Sequence, residues 1–267
     1  DAENIVTGAG SLGALNQILK AFAGVDADGV QDEVIYAWRS FEAYPILVGL
    51  LGAKSVQIPN LPNGAHDLQG MLDAITDRIL AAAIRVPDHG KLAPWRFVVV
   101  SDPATRDRAA AMADRARVDQ AAHLASERAG RMLDLKLEGL REAPVGVVVA
   151  CDRRTPATGV LGRATFPDAD LWSCATAIEN MWLTARAHGL GMGWVTLFDP
   201  DELADLLGLP EGVVTLGWLC LGWPDERPPS PGLERAAWSK KTPLEQVVLH
   251  DRWPADEAAP QQPVSHL

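Results

Sequence analysis

Apolar positions recur along the chain with two spacings. Over Ser11 to Ala23, Leu12, Leu15, Ile18, Leu19 and Phe22 fall three or four residues apart, one face of a helix, and Glu33 to Ala37 reads as a short strand. A helix is predicted over Ala43 to Leu51, with Pro45 near its first turn and Gly52 beyond its end, then a strand over Ser55 to Ile58 and a helix capped by Asp67. This alternation predicts α/β layering. From Ile79 the order changes. A helix through Leu80 to Arg85 leads to a polar turn, Pro87 to Pro94, and a strand, Arg96 to Val100. A long helical region, Asp107 to Arg141, carries Met112, Leu124, Met132, Leu133, Leu137 and Leu140 as its apolar stripe. Val145 to Ala150 has the continuous apolar character of a buried strand, and Leu171 to His188 is the most apolar helix. A strand follows from Gly191 to Leu197. Asp199-Pro200-Asp201-Glu202 then supplies a cap, a proline at the first helical position and an acid three residues after the cap, so a helix runs to Leu207 and stops at Gly208. Val213 to Leu221 is the last strand, before an irregular, proline-rich tail.

Composition narrows the chemistry. The 267 residues are 48% hydrophobic and 22% charged, enough to build one or two cores. No apolar run approaches the ~20 residues of a membrane span, and no export signal is seen, so a cytoplasmic protein with no membrane partner is expected. A net charge of -11 opposes nucleic-acid binding. Cys151, Cys174 and Cys220 are odd in number and far apart, which suits buried thiols better than a disulfide framework or zinc site. The six histidines are scattered, no H-E-x-x-H or G-x-S-x-G occurs, and no metal site is expected. Asp168/Asp170 and Asp199/Asp201 read as solvated or capping acids, and Arg153-Arg154 as a surface turn. The chain begins without Met and ends in Ala258-Ala259-Pro260-Gln261-Gln262-Pro263, a linker-like composition, so a piece of a longer protein is expected.

Gly8-Ala9-Gly10-Ser11-Leu12-Gly13 satisfies G-x-G-x-x-G at a helix start, where free N–H groups favour a phosphate. The pattern alone does not separate a dinucleotide loop from a tight turn. The stretches Glu3 to Ser11, Tyr36 to Pro45 and Asp67 to Asp77 together resemble the large domain of fold-type-I aminotransferases of the histidinol-phosphate and aromatic amino acid branch. The resemblance implies that Gly10-Ser11 would contact a pyridoxal phosphate group and that Phe41 would stack on its ring. It stops near Arg78, with no later match to the Schiff-base lysine. Lys54 and Lys91 lie outside the required context, and without that imine the electron-sink chemistry does not run.

A second resemblance covers roughly Ile79 to Trp253. Pro87-Asp88-His89-Gly90-Lys91-Leu92-Ala93-Pro94-Trp95, the helix Cys174 to Ala187, Gly191-Met192-Gly193-Trp194-Val195-Thr196 and the tail through Trp238 and Pro243-Leu244-Glu245 resemble the nitroreductase superfamily of FMN-dependent oxidoreductases. Within it they look like the 5,6-dimethylbenzimidazole synthase branch, which uses reduced FMN and oxygen to make the lower ligand of cobalamin. The resemblance implies FMN as cofactor, a small-molecule substrate and a homodimer. Pro87, His89, Lys91, Pro94 and Trp95 would lie along the isoalloxazine, Gly191, Gly193 and Trp194 would approach its edge, and Lys240 or Lys241 would reach its phosphate. Thr196 would hold the catalytic polar position near the flavin. Family members carry an Arg-rich segment about two dozen residues before the position of Ile79; here that place is Ser55 to Thr76, which contains no Arg.

The expected fold is α+β: a nitroreductase-like sheet flanked by helices over 79–254, preceded by an incomplete α/β aminotransferase-like segment over 1–78 and followed by a linker over 255–267. The alternative to an FMN oxidoreductase is a catalytically inactive fusion or scaffold module, or an aminotransferase fragment without its lysine.

Overall fold

The computed structural model describes residues 7–134 and 139–253, and the chain divides into two compact units, residues 1–81 and 82–267. In the first unit, α1 (Gly10–Phe22), β1 (Glu33–Trp38), α2 (Ala43–Leu50), β2 (Lys54–Pro59) and α3 (Leu68–Ala83) follow one another. β1 and β2 pair in parallel, Glu33 opposite Lys54 through Trp38 opposite Pro59, with α2 as the crossover. Leu19, Tyr36, Leu47, Val48 and Ala53 form the core of this unit. The Asp67 carboxylate accepts the Gly70 N–H at 2.8 Å, capping α3 as the sequence suggests. The helix expected to begin anew at Ile79 is instead continuous from Leu68 to Ala83, because no Gly or Pro interrupts residues 71–86 and the chain turns only before Pro87. In the glycine pattern, a Cβ on Gly8 would lie 2.6 Å from the Ala14 nitrogen. That glycine has a packing reason, since the loop folds back on the first turn of α1.

The second unit contains β3 (Trp95–Val100), α4 (Pro103–Ala122), α5 (Ser126–Asp134), β4 (Val145–Asp152), α6 (Ala169–Ala187), β5 (Gly191–Val195), α7 (Pro200–Leu207) and β6 (Val213–Gly222). Its sheet runs β3-β4-β6-β5, antiparallel throughout. β4 is buried from Val145 to Cys151, as its unbroken apolar run requires. Trp218 of β6 is fully buried, and a Cβ on Gly146 would stand 2.2 Å from its ring, so the indole occupies the space that glycine leaves on the neighbouring strand. α6 packs on this sheet through Cys174, Ala177, Ile178 and Met181. The helical region expected from Asp107 begins earlier, at Pro103, where Asp102 accepts the Thr105 N–H at 2.9 Å, and it breaks into two helices at residues 123–125. Asp199 accepts the N–H groups of Asp201 and Glu202, and Gly208 closes α7 at φ +66°, both as expected. Leu137, the stretch Glu3 to Val6 and the linker 255–267 lie outside the described residues.

Candidate functional site

The turn that leads into β3 is held at both ends. Asp88 Oδ2 accepts the Ala93 N–H at 2.7 Å, and Arg96 Nη1 donates to the carbonyls of Ala93 and Trp95 at 2.9 and 2.8 Å. Arg96 also reaches Asp152 Oδ2 at 3.3 Å, and the Asp152 N–H donates to Pro94 O at 2.8 Å. Arg154, bonded to Asp152 at 2.6 Å, holds that carboxyl well below the usual carboxylate range. Between these staples the backbone is left-handed at Gly90 (φ +65°), Lys91 (φ +51°) and Ala93 (φ +48°). Two non-glycine residues in that region within three positions mark a turn whose surroundings over-determine it. A Cβ on Gly90 would lie 2.9 Å from Leu161 O, so the 153–168 segment lies directly against the turn.

The turn is also fixed to α6. Ser173, fully buried in the first turns of that helix, accepts the His89 N–H at 3.1 Å, and its Oγ lies 3.1 Å from His89 Nδ1. The imidazole meets Trp172 edge-on, with ring centroids 5.8 Å apart, and Phe166 packs on the far side of that indole. One turn before Ser173, Asp170 is buried and paired with Arg163 at 2.9 Å and Arg153 at 3.0 Å. Those arginines further hold the carbonyls of Thr155 and Pro167. Asp170 is therefore no solvated acid, and Arg153 is no plain surface turn. Such partners offset the cost of burying a carboxylate, and here they tie the 153–168 segment to α6. Beneath, the hydrogen bond to Cys151 and burial push the Cys174 thiol up, so it remains protonated and unreactive.

At the opposite edge of the sheet, β5 presents Gly193 and Trp194 outward. A Cβ on Gly193 would meet nothing nearer than Cys220 Cβ at 4.0 Å, leaving the strand open to a flat ligand, whereas one on Gly191 would touch Pro224 at 3.4 Å. Trp194 Nε1 donates to Leu216 O at 2.7 Å, which orients the indole. Trp194 and Thr196 line a cavity of about 260 Å³ with Gln120, Met132, Leu233 and Trp238. The Arg128 guanidinium sits 4.7 Å from the Trp238 ring. Lys240 and Lys241, both exposed, follow two and three residues later. A second cavity of about 280 Å³ is also lined by Trp194, together with Ile178, Glu179 and Trp182 of α6.

The structure thus gathers the expected residues into two groups. Pro87, His89, Lys91, Pro94 and Trp95 form one turn; Gly191, Gly193, Trp194 and Thr196 form an edge, near the segment that carries Lys240 and Lys241. The strands that carry them, β3 and β5, are three strand spacings apart, ~14 Å across the sheet. Ser173, Asp170, Arg163 and Trp238 were not singled out as site residues in the sequence; the i, i+3 spacing of Asp170 and Ser173 on one helix face was the available signal. Arg78, the arginine nearest to the absent Arg-rich segment, is taken up by Glu33 and the Ala74 carbonyl. Among the described residues, no cluster of His, Cys, Asp or Glu suits a metal ion, and no helix is long and apolar enough to cross a membrane.

Comparison with known proteins follows the same division. A family model described as the nitroreductase family matches residues 71–223. The 5,6-dimethylbenzimidazole synthase of Rhodospirillum rubrum is 42% identical over 168 residues, covering 62% of this chain and 79% of that protein. A 5,6-dimethylbenzimidazole synthase of Rhodobacter capsulatus is 36% identical over 173 residues, 65% of this chain and 84% of its own length. The N-terminal segment is similar to the aromatic amino acid aminotransferase of Streptomyces coelicolor, 53% identical over 75 residues, but spans only 20% of that protein. Among solved structures, a BluB-like flavoprotein from Clostridium difficile 630 superposes with a TM-score of 0.51 at 21% identity, covering 67% of this chain and 90% of that one.

Proposed function

The chain belongs to the nitroreductase family, and from that premise we propose that it is an FMN-dependent oxidoreductase that makes 5,6-dimethylbenzimidazole from reduced FMN and oxygen. The observation that carries this reading is the 42% identity to a named 5,6-dimethylbenzimidazole synthase over most of that protein's length. The sheet order supports a homodimer in this reading: a second copy that brings its turn to the first copy's edge would join the stapled turn and the open β5 edge in one flavin site. A homodimer with two composite sites satisfies that geometry.

The residues present suit FMN. The bare backbone at Gly193 accommodates a planar ring, and the turn from Pro87 to Trp95 is rigid enough to lie along it. With no arginine in residues 55–76, the phosphate falls to Lys240 and Lys241, beyond the Trp238 that closes the Thr196 cavity. When bound, FMN supplies the electron chemistry with oxygen. The protein's own part is to orient the ring between the turn and Trp194, to limit water with Trp172 and Phe166, and to place hydrogen-bonding groups, Thr196 on the edge and His89 on the turn. The N-terminal unit is proposed to take no part in the chemistry, and the protein to act on its small-molecule substrate in the cytoplasm.

The test is direct. The purified, desalted chain is incubated with FMN, freed of unbound flavin and examined by absorption, then supplied with reduced FMN under oxygen while benzimidazole formation is followed by mass spectrometry. Retained flavin with product supports the proposal. A folded chain that retains no flavin and forms no product under saturating FMN overturns it in favour of an inactive module.

A further inference from the structure

Ser173 has one hydroxyl proton and two lone pairs, and three neighbours claim them. Its Oγ lies 3.2 Å from the Ala169 carbonyl, 3.1 Å from the His89 N–H nitrogen and 3.1 Å from His89 Nδ1. The carbonyl only accepts, and the backbone N–H only donates. With the hydroxyl proton on Ala169 O, one lone pair takes the His89 N–H and the other faces Nδ1, which must then donate. All three contacts are satisfied together only when Nδ1 carries the hydrogen. Neutral His89 is then the Nδ1–H tautomer, and Nε2, on the side of the ring away from Ser173, is the basic nitrogen.

The surroundings keep this arrangement in place. Ser173 is fully buried while His89 is exposed, so the ring is anchored in the core at one nitrogen and open at the other. Trp172 bounds the ring edge-on. Asp88 and Lys91 neighbour it on the turn, while Asp170 and Cys174 flank Ser173 on α6, with Arg163 of the preceding segment paired to Asp170. Asp170 is held by two arginines, Cys174 stays protonated, and Asp88 Oδ2 is given to the Ala93 N–H. Among the described residues the side-chain partners of the imidazole are Ser173 and Trp172.

We propose that His89 is the proton-handling residue of this site: Nε2 takes a proton from the bound small molecule and returns it to that molecule or to water, and Ser173 is the positioning residue that sets the tautomer. The step moves a proton alone, leaving the imidazole uncharged before and after the cycle. The inference rests on the flavin reading for its substrate, but the tautomer does not depend on it.

Two measurements separate these parts. Nitrogen-15 NMR of the histidine side chains in the flavin-free chain, with His89 identified by the signal lost in His89→Gln, reads the tautomer directly. The Nδ1–H form is expected in the wild type, with the preference lost in Ser173→Ala. An Nε2–H form in the wild type overturns the proposal whatever the flavin does. In the second measurement, made on chains loaded at saturating FMN, His89→Gln is expected to lose roughly 100-fold in turnover per bound flavin and to lose one limb of the pH profile. Unchanged turnover and pH profile in a flavin-loaded variant also overturn it. If neither protein retains flavin, the functional reading fails on its own, and the NMR result decides the tautomer.

Discussion

The two units of this chain make their cores differently. In the second, the central strand β4 and the bulky Trp218, Leu219 and Leu221 of β6 are almost wholly excluded from water. In the first, two parallel strands share one small cluster, while Phe22 remains 81% and Leu50 78% exposed. Parallel pairs are stable chiefly when helices cover both faces of a wider sheet, and two strands do not make that layer. The first unit nonetheless has the higher local identity to its relatives, 53% against 42%. Identity over a segment speaks for helices, caps and register, whereas burial depends on how many elements pack around them.

Cutting into the second unit should have the largest effect. Asp170→Ala leaves Arg153 and Arg163 without their buried carboxylate and should cost about 3–5 kcal/mol in urea unfolding, with loss of the His89 contact to Ser173. Trp218→Ala opens a cavity beside Gly146 and should lower stability by about 3–5 kcal/mol, read as a fall in the thermal midpoint. A cost under about 1 kcal/mol for Trp218→Ala would erase the contrast between the cores. In the first unit Leu47→Ala should cost less, about 2 kcal/mol, and leave flavin retention unchanged. The smallest effect concerns Glu33, which the Arg78 hydrogen bond, with Lys54 at 2.8 Å, holds down at about 2 against an ordinary value of 4.5. A depressed carboxyl stabilises the folded state above its unfolded value, so that contribution is full above pH 4.5 and fades as the pH falls toward 2. Glu33→Gln should flatten the stability profile of that window in acid titrations followed by circular dichroism.

Much of the fold was legible because its signals are local. Asp67, Asp199 and Gly208 act where the sequence puts them, and the strands carry their own periodicity. No helix restarts at Ile79, because the backbone has no reason to break there. The site was legible as two motifs and not as a geometry. Nothing in Pro87 to Trp95 or in Gly191 to Thr196 states that their strands end at opposite edges, since strand order is set by long-range pairing. Asp170 reads as a solvated or capping acid and Ser173 is not singled out for a related reason: one acid and one serine in an apolar helix look ordinary until the arginines and the histidine that meet them arrive from 7 to 84 residues away.

The sheet order has a genetic consequence. If each working site takes its turn from one protomer and its edge from another, then defects in the two segments are not equivalent injuries to the same part. A chain damaged only at His89 and a chain damaged only at Gly193 would each be silent alone, yet a mixed pair assembles one sound site beside one doubly broken one. Statistical mixing would restore about a quarter of the original turnover, so two alleles of a single gene would complement each other.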